Sequence, residues 1–184
     1  MVVKINTKTG FTIVELLIVI VVIGILAAIT IVAFNGVQAR AKDSTRSNDL
    51  TAIQKALELY KTDNGTYPNA TANPGTSGWE VSTDVAGTFI EALKPYMNTV
   101  PTDPVNTSAT AYWYYFYAPT HAVAVSANCN ASRGGFYVLR AVYDDENNKP
   151  TPGTVDNTIN GCSGTLPSQW IDSGKLHIRH RFVN

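Results

Sequence analysis

The run Leu16–Phe34, LLIVIVVIGILAAITIVAF, holds 19 residues without a charge and constrains the chain more than any other feature. It meets the length and composition criterion for a membrane-crossing helix. Counted from Phe11, the 24 residues up to Phe34 would extend roughly 36 Å as a helix at about 1.5 Å each, against a hydrocarbon core about 30 Å thick. What remains of the 184-residue chain suits one globular domain. Its 14 basic and 14 acidic residues give zero formal net charge. They are scattered, and form neither the basic face that duplex DNA requires nor a like-charge tail. Charge selects no partner, and only a short DNA-contacting patch is left open.

A removed secretory signal is one reading of this N-terminus, with Lys4 and Lys8 as its basic flank and Ala39-Arg40-Ala41 as its small-residue cleavage site. The apolar run is too long for it, since such signals carry about 7 to 15 apolar residues, and Glu15 interrupts the block. A plain single-span anchor fits the length better. Glu15 is the informative residue, because a carboxylate costs about 2.5 to 3.5 kcal/mol at the centre of a span and less near its end. Thr12-Ile13-Val14-Glu15 matches the capping box, in which the acid takes up a free backbone N–H near the positive end of the helix. That local role accounts for Glu15 but not for the residues before it.

Lys8-Thr9-Gly10, followed by Phe11-Thr12-Ile13-Val14-Glu15-Leu16-Leu17 and the apolar run, resembles the processing signature of type IV prepilins and pseudopilins. The resemblance implies that a prepilin peptidase in the membrane cuts after Gly10 and methylates the new N-terminal residue, Phe11, leaving the apolar helix attached. It also implies that Glu15 serves assembly, pairing with the terminal amine of a neighbouring subunit as the helix leaves the lipid. An intrachain pair one turn away is the other geometric option. Leu57 to Pro68, LELYKTDNGTYP, is a second and separate match, to the stretch that closes the N-terminal helix in this family. Many filament pilins carry a proline about where Val32 stands. Its absence leaves open whether the helix melts near Gly24 or Gly36, glycines that also permit close approach of neighbours.

The expected organisation is a leader at residues 1–10, an apolar membrane and assembly helix at 11–34, and a globular domain at 35–184. Leu50, Ile53, Leu57 and Tyr60 continue the helical spacing as a core-facing stripe to about Lys61, where Asn64-Gly65 stops it. Pro68 to Gly87 reads as a long connecting loop, and Thr88 to Met97 as a short helix with Phe89, Ile90 and Leu93 inward, ended near Pro95. Val100 to Pro104 resembles the proline-rich turn that follows this element in pseudopilins. Strand candidates are Tyr112–Tyr117, His121–Ser126, Phe136–Tyr143 and Leu176–Phe182. The fold class is α+β: a long N-terminal helix, its apolar half protruding, packed against a C-terminal antiparallel sheet in the pilin manner, with the strand order open.

Other constellations read as structural. Asp144-Asp145-Glu146-Asn147-Asn148 offers oxygen ligands, and some pseudopilins carry calcium in a C-terminal loop, but no EF-hand pattern is present and a solvated turn is expected. Alternation puts about half the rings of Tyr112-Trp113-Tyr114-Tyr115-Phe116-Tyr117 on the core face. His177, Arg179 and Arg181 share one strand face, read as solvated, with His180 on the other. The Asn-x-Ser/Thr strings at Asn64, Asn69, Asn106 and Asn130 are expected by chance in such sequence. Cys129 and Cys162 lack metal spacing. In an exported domain their even count predicts an intrachain disulfide, with two buried thiols as the alternative.

No nucleophile-base pair, phosphate loop or metal-protease motif occurs, so no enzymatic activity, cofactor or metal is expected. The resemblance leads to a structural subunit of a type IV pilus, a helical homo-oligomer that rests in membrane lipid as a single-pass cytoplasmic-membrane protein. Assembly machinery would then move it to an extracellular pilus, whose use in adhesion, twitching motility or DNA uptake stays open. A pseudopilin of a type II secretion or DNA-uptake system is the alternative. From another class, a membrane-anchored binding module that never polymerises leaves the Gly10-Phe11 junction unexplained.

Overall fold

The computed structural model describes residues 10–70, 79–83, 88–118, 120–121, 124, 129, 134–150, 162 and 174–183. Helix α1 covers Ile13–Asn64. It outlasts the expected end at Lys61 by about one turn and stops where Gly65 takes a φ of 75° while its N–H donates to the Lys61 carbonyl at 2.8 Å, a left-handed glycine cap. The chain divides into two compact units, Met1–Gln38 and Ala39–Asn184. In the first, the apolar side chains of α1 are exposed, from Leu16 at 63% to Phe34 at 58%.

In the second unit α1 faces an antiparallel meander of β1 (Glu80–Val81), β2 (Trp113–Tyr117), β3 (Phe136–Val142) and β4 (Leu176–Phe182), paired in that order. Tyr114 pairs with Leu139, and Leu139 with Arg179. Alternation therefore gives one sheet face to Tyr114, Tyr137, Leu139 and Ala141, which bury with Leu50, Ile53 and Leu57 of α1. The other face also carries a core: Trp79, Tyr117, Phe136, Val138 and Ile178 form a second buried cluster. Both alternate sets of the aromatic run are thus used in packing.

Two elements depart from the sequence reading, and a third lies largely outside the described residues. β1 lies inside the segment expected to be all loop, too short to carry a period-two signal. The Thr88–Met97 helix is only a 3₁₀ turn at Glu91–Leu93. Ile90 before it is held left-handed, φ 43°, with its N–H donated to the buried Glu80 carboxylate, and Pro95 after it has no N–H to continue a helix. Phe89, Ile90 and Leu93 are nonetheless buried as expected. Of the His121–Ser126 candidate only His121 and Ala124 are described, neither of them in a strand.

Candidate assembly site

Thr12 is the residue before α1, and its relation to Glu15 is reciprocal. The Thr12 N–H and Oγ1–H both donate to Glu15 Oε2 at 2.8 Å, and the Glu15 N–H donates to Thr12 Oγ1 at 3.2 Å. This is the capping box, so the local role foreseen for Glu15 is the one realised while residues 1–10 are attached. Phe11 then bears a peptide N–H and has no amine to offer. Its ring is 91% exposed. A Cβ built on Gly10 meets nothing within 4 Å, so packing does not demand glycine there.

Along the following turns α1 is apolar around its whole circumference. None of this apolar stretch is buried. A helix that is apolar on every side needs a lipid or protein environment to cover it. By length and composition this segment is the one helix among the described residues able to cross a membrane.

The globular unit contains a polar cluster that the sequence reading missed. Arg46 is fully buried, with its Nε 2.7 Å from Asp103 Oδ2, its Nη1 2.7 Å from Asp43 Oδ1 and 3.1 Å from Asp144 Oδ1. Asp43 also accepts from the Asp144 N–H, the Asp145 N–H and Asn148 Nδ2. Asp103 accepts from the Val105 and Asn106 N–H groups. Three pieces of chain distant in sequence, α1, the proline-rich turn and the turn after β3, are thereby tied to one guanidinium. Burial opposes both charges, but the hydrogen bonds prevail: Asp103 and Asp43 hold the Arg46 proton beyond its ordinary range, and the donors on Asp43 hold its carboxyl below the usual carboxylate range. A signal for this cluster exists in the sequence. Asp43 and Arg46 continue the stripe of Leu50, Ile53, Leu57 and Tyr60 at alternating spacings of three and four, so two charged residues sit where core residues belong.

Asp144–Asn148 is a turn, as expected, with Glu146 and Asn147 exposed, but it is also tied inward: Asp145 caps a 3₁₀ turn at Glu146–Asn148 and Asp144 reaches Arg46. Among the described residues no group of three or more His, Cys, Asp or Glu is arranged to hold a metal. The His177–Arg179–Arg181 face is solvated only at Arg181, which is exposed; its other two residues turn inward. His177 and Arg179 are buried, and Arg179 donates to Thr51 Oγ1 at 2.9 Å and Gln54 Oε1 at 3.3 Å. Arg181 reaches Glu58 at 3.4 Å. A strand facing a helix with hydroxyls and amides beside its apolar stripe accepts cations that periodicity alone would send to solvent. Cys129 and Cys162 are joined by a disulfide, as an isolated antiparallel bridge with Cα atoms 3.8 Å apart, closer than the 4.4 to 6.8 Å usual for such bonds.

The prokaryotic N-terminal methylation motif matches residues 5–31, spanning Gly10, Phe11 and Glu15. The type II secretion system protein G family model matches residues 34–128, just over half of the chain. The chain belongs to the protein G family. Its pilin-like relatives include the type II secretion system core protein G of Pseudomonas aeruginosa, 30% identical over 53% of this chain and 68% of that protein. The Vibrio cholerae core protein G is 37% identical over 35% of this chain and 44% of its own length. That of Escherichia coli K12 is 37% identical over 38% of this chain and 47% of its length. The chain therefore spans less than half the length of some curated relatives it matches. No solved structure matches. In this protein G family member Asp43, Arg46 and Asp103 fall inside the matched residues, whereas Cys129, β3, Asp144, Cys162 and β4 lie beyond them.

Proposed function

We propose that this protein G family member is a pseudopilin of a type II secretion system, anchored in the inner membrane by α1 and built into a short pseudopilus there. The observation that supports this reading most directly is the protein G match over residues 34–128, next to an apolar helix left wholly uncovered by its own chain. The extracellular type IV pilus to which the N-terminal signature leads is the coarser family resemblance, and the relatives turn it toward secretion. They lend nothing to adhesion or twitching motility. No catalytic role is assigned to any residue, and the organisation into leader 1–10, assembly helix 11–34 and globular part 35–184 belongs to the same proposal.

In this reading a prepilin peptidase cuts between Gly10 and Phe11 and the new amine is methylated. A cationic amine then stands beside the capping box, and Glu15 can exchange the Thr12 N–H for the amine of a neighbouring subunit, removing two charges from an apolar setting. Partners are further copies of the chain, the peptidase and the assembly machinery, with lipid around α1 before assembly. Mass spectrometry of the mature N-terminus tests it. N-methyl-Phe11 as first residue, together with loss of secretion when the gene is deleted, is the expected result. A mature chain starting near Lys42 would refute the processing, and intact secretion would refute the secretory role.

A further inference from the structure

Arg140 of β3 stands opposite Trp113 of β2, on the sheet face turned away from α1. Its guanidinium carbon lies 4.4 Å from the centre of the Trp113 ring and 5.0 Å from that of Trp79, and the two indoles meet edge to face at 6.3 Å. Rings placed in this way attract a cation and fix its position without neutralising it. The other two arginines of the sheet are paired: Arg179 donates to Thr51 and Gln54, and Arg181 reaches Glu58. Arg140 is partly exposed and donates to no carboxylate or carbonyl among the described residues. Burial pushes its pKa below the ordinary guanidinium range, with only Tyr117 acting against that and no acid. A planar fork of N–H donors held in one position matches a carboxylate. One guanidinium balances one negative charge, which selects a carboxylate over a phosphate.

Glu146 is the complementary group. Every other described acid holds a hydrogen bond or an ion pair, among them Asp49 with Tyr112, Asp63 with Tyr96, Glu58 with Arg181 and Glu91 with Lys94. The Glu146 carboxylate is exposed and meets no partner among the described residues. The turn that carries it rests on α1, because Asp43 accepts from the Asp144 N–H, the Asp145 N–H and Asn148 Nδ2. Arg140 and Glu146 therefore lie on opposite sides of the sheet, and within one chain each is left without the other. We propose that Arg140, fixed against Trp113 and Trp79, receives the Glu146 carboxylate of a second copy of the chain. A contact between two different patches is head-to-tail, so each added copy presents a fresh half of it and the series continues as a filament. The globular units thereby gain a contact of their own, separate from that of α1. Its setting in a pseudopilus rests on the secretion reading.

In cells expressing the full-length chain with its assembly machinery, Glu146→Gln should lower the yield of pseudopili about tenfold, the effect of losing one desolvated ion pair. Glu146 is exposed, so thermal unfolding of the monomer in detergent should not change. Arg140→Glu should fail to assemble in the same way, and Arg140→Glu combined with Glu146→Arg should recover the yield. Bismaleimide bridging keeps the test open where Arg140→Glu does not fold. A chain carrying both Arg140→Cys and Glu146→Cys should give a ladder of dimers, trimers and longer products, which neither single variant gives. Wild-type yield from Glu146→Gln would overturn the proposal. So would a swapped pair that assembles no better than its folded singles, or a double-cysteine chain that stays monomeric or stops at dimers. Any of these results, obtained while the wild-type chain assembles, leaves the secretion reading standing. A wild-type chain that never assembles would sink that reading and this contact with it.

Discussion

Replacing Arg46 by methionine removes the one cation that three aspartates share. Asp43 and Asp103 are both at most 3% exposed, so water cannot take over from the guanidinium without the turns opening. Breaking a buried pair from one side costs about 3 to 5 kcal/mol, because a charge is left buried without its partner. Three further donors remain on Asp43 and two on Asp103, which places Arg46→Met near about 3 kcal/mol, the low end of that range. For a globular unit of this size each kcal/mol lowers Tm by about 2 to 4 °C, so the expected loss is about 6 to 12 °C. Arg46→Lys should recover little, since an ammonium cannot span Asp43 and Asp103 with a planar fork. The assay is thermal unfolding of the full chain in detergent, run as a double-mutant cycle with Asp103→Asn. Strong non-additivity is expected, the double variant being less damaged than the sum of the singles. A loss under about 1 kcal/mol with additive singles would show that the cluster behaves like a surface ion pair, and the reasoning would fail.

Glu15→Ala should leave membrane insertion and the fold of the globular unit intact while reducing incorporation into pseudopili; normal pseudopilus yield on overexpression would end the assembly role given to Glu15. Leu57→Ala, at a site with no exposure, should cost about 2 to 5 kcal/mol in urea unfolding, and a cost near zero would contradict its place in the helix-facing core. Gly135→Ala should destabilise by about 1 to 3 kcal/mol, because its Cβ would lie 2.7 Å from the Tyr117 carbonyl oxygen and 2.4 Å from the Phe116 ring; a neutral variant would mean that the strand moves aside. Asp43, with its folded pKa depressed, contributes stability that is present above the unfolded value of about 4 and lost as pH falls through the folded value. Asp43→Asn should therefore flatten the acid limb of Tm against pH, and an unchanged limb would count against this account.

Local chemistry made the N-terminal half legible. Nineteen uncharged residues cannot be anything but an apolar helix or a buried core, and Gly10-Phe11 with Glu15 at helical spacing is a short contiguous pattern. The stripe Leu50 to Tyr60 and the Asn64-Gly65 stop are likewise written in neighbouring residues, as are three of the four strands. Tertiary structure decided what depends on residues far apart in the chain. Asp43, Asp103 and Asp144 become one cluster only when α1, the proline-rich turn and the turn after β3 converge on Arg46. Convergence also turned His177 and Arg179 inward and gave the sheet a core on both faces. A charged side chain reads as solvated until its partner is known, because burial costs several kcal/mol unless a complementary group is already in place. Periodicity records which residues share a face; which face meets water is settled only by what packs against it.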